Sequence, residues 1–111
     1  MGTDIKESDW KLFRRFHKLA LERFCERVLK EVRSTVAESG DSHHDQYLKV
    51  FNLLRKRDKA IADAFNDPRR STAIILLANI KHLDLLTAEE LGQFSAETRQ
   101  RIETIENIRR A

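Results

Sequence analysis

FHKLALERFCERVLKEVRSTV, residues 16–36, is the stretch that decides the fold. It holds no Gly or Pro, and Phe16, Ala20, Phe24, Val28, Val32 and Val36 recur at every fourth position. That spacing specifies a helix. Steps of four on a 3.6-residue helix drift by about 40° each, so the apolar row winds around the cylinder. A coiled coil would need an average spacing of 3.5. A slanted ridge suits steep ridge-in-groove crossing instead, with different neighbours along its length.

Outward from this stretch, Ser8 stands where an N-cap is wanted, and Asp9 falls in the first turn, where the helix dipole favours an acid. The first helix is therefore expected over 8–38, roughly 45 Å long, behind a disordered tail of residues 1–7. Ser39-Gly40-Asp41-Ser42 is the one clear loop: Gly40 suits a left-handed cap, and Asp41 or Ser42 can cap the next helix. That second helix, over 43–65, carries the stripe Tyr47, Val50, Phe51, Leu54, Ile61, Ala62 and Phe65.

Asp67-Pro68 then has the form of an N-cap with Pro at the first helical position, opening a third helix over 68–83. Its segment Ala73-Ile74-Ile75-Leu76-Leu77-Ala78 is apolar on every side, which places it centrally, or between a core and a subunit interface. Such a run also fits a buried strand, but Pro68 and the lack of any second strand candidate argue against that. Thr87-Ala88-Glu89-Glu90 is a capping box, opening a short helix over 88–94. Ser95 caps a last helix to about residue 109, with Ile102, Ile105 and Ile108. The expected fold is all-α: a compact bundle of four to five helices, two long, one apolar and central, two short and C-terminal.

A chain of 111 residues suits one domain, and its size needs no disulfide or metal staple. The single cysteine, Cys25, cannot form an internal disulfide and points to a reducing compartment. No apolar run reaches the roughly 20 residues of a membrane span, and residues 1–10 lack a signal-peptide core. Met1-Gly2 opens like a myristoylation motif, but Lys6 stands where that motif requires Ser or Thr. The expected compartment is the cytoplasm, without membrane contact. Twenty-one Lys and Arg against 18 Asp and Glu leave a net charge of +3, a weak pull on polyanions.

Asp58 is the polar residue that the pattern singles out, because it falls inside the apolar stripe of the second helix. A buried carboxylate needs a partner. It is either a functional group (a base, or a contact that specifies a partner), or a structural ion-pair member with an Arg of the first helix, or exposed where the stripe leaves the core. His43, His44 and Asp45 are the densest cluster of metal-ligand types, but neighbours on a helix point about 100° apart and do not converge on one ion. Cys25 falls mid-helix on the apolar side, far from any base, and is expected to be a buried core residue.

Lys11, Arg14, Arg15 and Lys18 form one basic group; Arg55 and Lys56 a second; Arg69 and Arg70 a third. Facing one way, they could track a phosphate backbone. The aromatics sit on apolar stripes, however, and acids interrupt the basic runs, so nucleic acid is the lesser expectation. No phosphate loop, nucleophile elbow or paired carboxylates are present, and neither catalysis nor a cofactor is implied. The leading expectation is a non-catalytic interaction or regulatory module that presents a helical surface to a protein partner or to itself. Homo-oligomerisation is expected because the central helix is apolar all round and the winding stripe exceeds what one neighbour covers.

Overall fold

The computed structural model describes residues 5–38, 40 and 42–111. Five helices form among them: α1 (Glu7–Glu38), α2 (His43–Phe65), α3 (Ala73–His82), α4 (Ala88–Leu91) and α5 (Ala96–Arg110). The molecule is all-helical, with no strand among the described residues. It is elongated, measuring 57 × 28 × 23 Å.

The elongation follows from unequal helix lengths. At 1.5 Å per residue, the 32 residues of α1 span about 48 Å, while the ten of α3 span about 15 Å. The shorter helices therefore cover only the N-terminal part of α1. There the winding row meets α3 and the loops, and Phe13, Phe16, Ala20, Phe24 and Val28 are buried. Further along, Val32 is half-buried and Val36 is 47% exposed. Among the described residues α2 accompanies α1 beyond Val28, where Arg57 meets Glu31, and α2 buries just Ala64 and Phe65 of its last turn. One end of the molecule is thus a packed core, and the other an α1–α2 hairpin with open sides.

The central helix is as expected in kind: α3 packs against α1, α2 and α5 and buries Ala73, Ile74, Leu76, Leu77, Ala78 and Ile80. It starts five residues later than Pro68 suggests. Asp67 adopts a left-handed φ of 56°, not the extended backbone of an N-cap. Thr72 occupies the cap position, but its hydroxyl is taken by the preceding turn: Oγ1 accepts from Arg69 N–H (2.9 Å) and donates to the Asp67 carbonyl (2.9 Å). At its other end α3 closes in a Schellman motif. Asp84 takes φ 58°, its N–H donates to the Lys81 carbonyl, and Leu85 N–H donates to that of Ile80.

The other boundaries differ less. Ser8 is inside the first turn and caps nothing; α1 begins at Glu7, and Trp10 N–H donates to the Lys6 carbonyl. Of the expected tail, residues 1–4 lie outside the described residues, while Ile5 is buried and Glu7 helical. Ser39 and Asp41 also lie outside them; Ser42 caps α2, accepting from Asp45 N–H at 3.1 Å. The Thr87–Glu90 capping box is formed, but α4 stops at Leu91, with residues 92–94 in turns.

Candidate functional site

On α2 the side chains that face α1 are Gln46, Val50, Leu53, Arg57, Ala60, Ile61 and Ala64, half-buried or buried at helical spacing. Arg57 fixes the register of the pair, donating through Nε and Nη2 to the two carboxylate oxygens of Glu31 (2.9 and 2.7 Å). These hydrogen bonds hold the Glu31 carboxyl below its ordinary range and raise Arg57. An ion pair between α2 and α1 therefore exists, but its α2 member is Arg57, one residue from Asp58, and its charges are reversed from the pair expected of Asp58.

At about 100° per residue, Tyr47, Phe51 and Leu54 lie within some 60° of one another and point roughly 90° away from the α1-facing side. Leu48 continues the arc to the back of the helix. Their exposures are 65% for Tyr47, 46% for Phe51, 44% for Leu54 and 40% for Leu48. Tyr47 and Phe51 stack on each other, ring centroids 6.4 Å apart, and the Arg55 guanidinium lies 5.8 Å over Phe51. This is an apolar band open to solvent, where the sequence pattern suggested core. The stripe splits: Phe65 enters the core, Val50 and Ile61 are half-buried, and Ala62, Tyr47, Phe51 and Leu54 stay outside.

Asp58 lies in line with that band and is exposed. It makes no hydrogen bond or ion pair with the described residues. Of the alternatives for its place in the stripe, exposure beyond the core is the one observed. His44 is also exposed, on the same side of α2.

The buried carboxylate is Asp9, 2% exposed. Oδ1 accepts Ser95 N–H at 3.0 Å, and Oδ2 accepts the hydroxyls of Ser95 (2.5 Å) and Thr98 (2.7 Å). Burial pushes its carboxyl up, but these donors and the Lys6 charge prevail and hold it below the ordinary value. The one sequence signal was an absence: Ser95 caps α5, yet position N3 is Thr98, which cannot return the acceptor of a capping box as Glu90 does for Thr87. Asp9 supplies it from α1.

Other polar groups of α1 tie the same end together. Arg23 pairs with both oxygens of Glu90 (2.7 and 2.9 Å) and donates to the Leu85 carbonyl (2.8 Å). These bonds to Arg23, with the Thr87 backbone N–H, outweigh desolvation and lower Glu90 to about 2. Arg27 caps the Leu83 and Asp84 carbonyls. His17 sits between the Phe13 and Phe65 rings with Nε2 3.1 Å from the Phe65 carbonyl. A carbonyl only accepts, so Nε2 carries the proton. Burial pushes the His17 imidazolium pKa down, and that hydrogen bond offsets it in part.

Two of the three basic groups come together, and the third stands apart. Arg70 reaches Glu7 (2.6 Å) and covers Trp10 (5.4 Å), which brings the Arg69–Arg70 turn beside the start of α1, near exposed Lys11, Arg14, Arg15 and Lys18. Arg69 is paired with Asp67 at 2.6 Å, and Arg15 leans over Phe16. Arg55 and Lys56 stand at the level of Glu31, 17 residues or about 25 Å along α1 from Arg14. Cys25 is half-buried beside a shallow surface depression, not in the core. A groove of about 500 Å³ between α3, α4 and α5 is open and mixed in lining, from Leu91 and Ile102 to Arg99 and Glu106. Among the described residues no three His, Cys, Asp or Glu side chains gather at one point, and no helix is long and apolar enough to cross a membrane.

Comparison with protein-family models, with curated proteins and with solved structures finds no match for this chain.

Proposed function

We propose that the protein is a non-catalytic interaction module whose working surface is the outer face of α2, presented at the open end of the α1–α2 hairpin to another protein chain. The observation that carries this is the arc Tyr47, Leu48, Phe51 and Leu54, four large apolar side chains 40–65% exposed and contiguous on one helix. Scattered exposed apolar residues need no explanation, but contiguous apolar patches larger than a few hundred Å² mark interfaces. At about 25 cal/mol per Å², covering the arc gains several kcal/mol of apolar burial, against which the cost of association is set. Aromatic residues with a neighbouring Arg are also the composition of interface centres.

The basis for association has moved from where the sequence put it. α3 is largely consumed inside the chain, with Ile75 its exposed apolar residue at 52%, and α2 carries the open surface instead. Three of the polar groups that could do chemistry are engaged structurally: Asp9 with three donors, Glu90 with Arg23, His17 with a carbonyl.

The test is site-specific photo-crosslinking in the native cell, with the photoreactive residue at position 51 or, as a control, at exposed Gln100 of α5. Adducts of defined mass at 51 and none at 100 are expected. No adduct at 51 would dismiss this surface.

A further inference from the structure

We infer that the occupant of this surface is a second copy of the chain, its α2 packed antiparallel on the first about a two-fold axis beside Phe51. The inference rests on the interaction-surface proposal above and adds the partner and its register.

A two-fold interface uses the same patch twice, so the patch must be complementary to itself: if residue i meets j, then j meets i. In a parallel pairing each side chain meets its own copy, which would set Arg55 on Arg55 and Asp58 on Asp58. Opposed like charges make that arrangement unfavourable. In an antiparallel pairing centred on Phe51, a residue k places before it meets the residue k places after it. The exposed side chains of this face then pair without a conflict. Phe51 meets Phe51, Tyr47 meets Leu54 and reaches Arg55, and His44 meets Asp58, while Leu48, about 120° from Leu54 on the helix, flanks the seam beside Arg55. These are an aromatic pair, an apolar pair, a ring with a cation and a donor with a carboxylate.

Two structural observations bear on this pairing independently. Arg55 already lies 5.8 Å from the Phe51 ring, so the cation is positioned over aromatic surface at the centre of the band. Asp58 and His44 are both exposed and both fall on the band's side of α2, at opposite ends of it. A carboxylate in an apolar stripe, unexplained within one chain, acquires a partner in the pair. The face is short. From His44 to Asp58 is 14 residues, about 21 Å and one helix wide, which is less than the roughly 800 Å² per partner of a standard interface. The dimer is accordingly a weak one, with Kd on the order of 10 μM.

The experiment is sedimentation equilibrium of the full chain from about 1 to 500 μM, with far-UV circular dichroism to verify folding. Wild type is expected to pass from monomer to dimer. Phe51→Glu, at an exposed position, keeps its helical spectrum and weakens association more than about 100-fold, because two carboxylates meet at the axis. Asp58→Lys weakens it about 3- to 10-fold by facing His44, and the double variant His44→Glu/Asp58→Lys recovers most of that loss. In a Cys25→Ser background, Phe51→Cys forms an intermolecular disulfide on mild oxidation, whereas Leu54→Cys alone does not; mixed with Tyr47→Cys it does. Monomer alone up to 500 μM overturns the self-pairing, while crosslinks from position 51 to a different chain would leave the surface standing. A dimer that survives Phe51→Glu overturns the surface as well. Loss with Phe51→Glu, but neither rescue by the double variant nor a disulfide at 51, overturns the antiparallel register.

Discussion

Asp9 and Ser95 stand 86 positions apart, and Asp9 Oδ1 accepts the Ser95 backbone N–H at 3.0 Å. With Oδ2 on the Ser95 and Thr98 hydroxyls, the carboxylate completes at long range the capping box that α5 cannot complete locally. One side chain from the first turn of α1 thereby positions the start of the last helix, and Phe94 and Ile102 beside it enter the core.

Asp9→Ala is expected to lower stability by about 2–4 kcal/mol, because it leaves buried donors at Ser95 and Thr98 without an acceptor. Asp9→Asn keeps one acceptor oxygen and should lose less. The urea midpoint of each variant, with its slope, measures this. A change within about 0.5 kcal/mol for Asp9→Ala would show that water replaces the carboxylate.

Glu90 gives the fold an acid limit. Its pKa is about 2 in the folded chain against an ordinary 4.5, so the unfolded chain binds the proton more readily. Its contribution is complete above about pH 4.5 and fades as pH falls toward 2. Glu90→Gln removes this slope, so stability measured across that window should fall less steeply in the variant. Asp9, also lowered, adds its own loss below about 3.8 and accounts for a residual slope.

His17 acts in the same direction at milder pH. Burial lowers its pKa from 6.5, so the neutral ring is favoured in the folded state and protonation in the unfolded one. Stability should therefore rise with pH through the region just below 6.5 and level off above it. His17→Phe, between the Phe13 and Phe65 rings, should flatten that step in urea titrations from pH 5 to 7.5. A step unchanged in the variant would show that His17 is not its source.

Asp84→Gly should stabilise the chain by about 1 kcal/mol. Asp84 holds φ 58° at the left-handed position of the α3 Schellman motif, where glycine carries no Cβ penalty. Its backbone N–H and carbonyl bonds, to Lys81 and from Arg27, are independent of the side chain. A lower thermal midpoint for the glycine variant would show that the Asp84 side chain matters more than its backbone.

The local signals were legible and the reach of the core was not. Capping at Ser42, Thr87 and Ser95 is local chemistry between residues three apart, and the structure forms all three. The Asp67-Pro68 signal failed because Thr72, four residues on, diverted its hydroxyl to the turn. Periodicity showed that Tyr47, Phe51 and Leu54 share a face, but it carries no information on whether another element is long enough to cover that face. Here α3 and α5 are too short, and the stripe that looks like core becomes the surface. For Asp9 the signal was a missing acceptor at position 98, which names a need without naming the residue 86 positions away that meets it.

Asp58 and Arg57 separate the two faces of α2, and their variants should behave oppositely. Measurements belong in the Phe51→Glu background, so that self-association does not enter the free energy. Asp58 is exposed and makes no hydrogen bond or ion pair with described residues, so Asp58→Ala should change monomer stability by less than about 0.5 kcal/mol. Arg57 and Glu31 are about one-third exposed and form two parallel hydrogen bonds, a geometry above the ordinary surface pair but still screened. Arg57→Ala and Glu31→Ala should each lower stability by about 0.5–1 kcal/mol. The double variant should lose less than the sum of the two, because each single change removes the same interaction. Additive losses would mean that Arg57 and Glu31 stabilise through their aliphatic stems and not through the pair. A loss above about 1 kcal/mol for Asp58→Ala in this background would mean that Asp58 serves the single chain, and would remove its charge from the surface proposed for the partner.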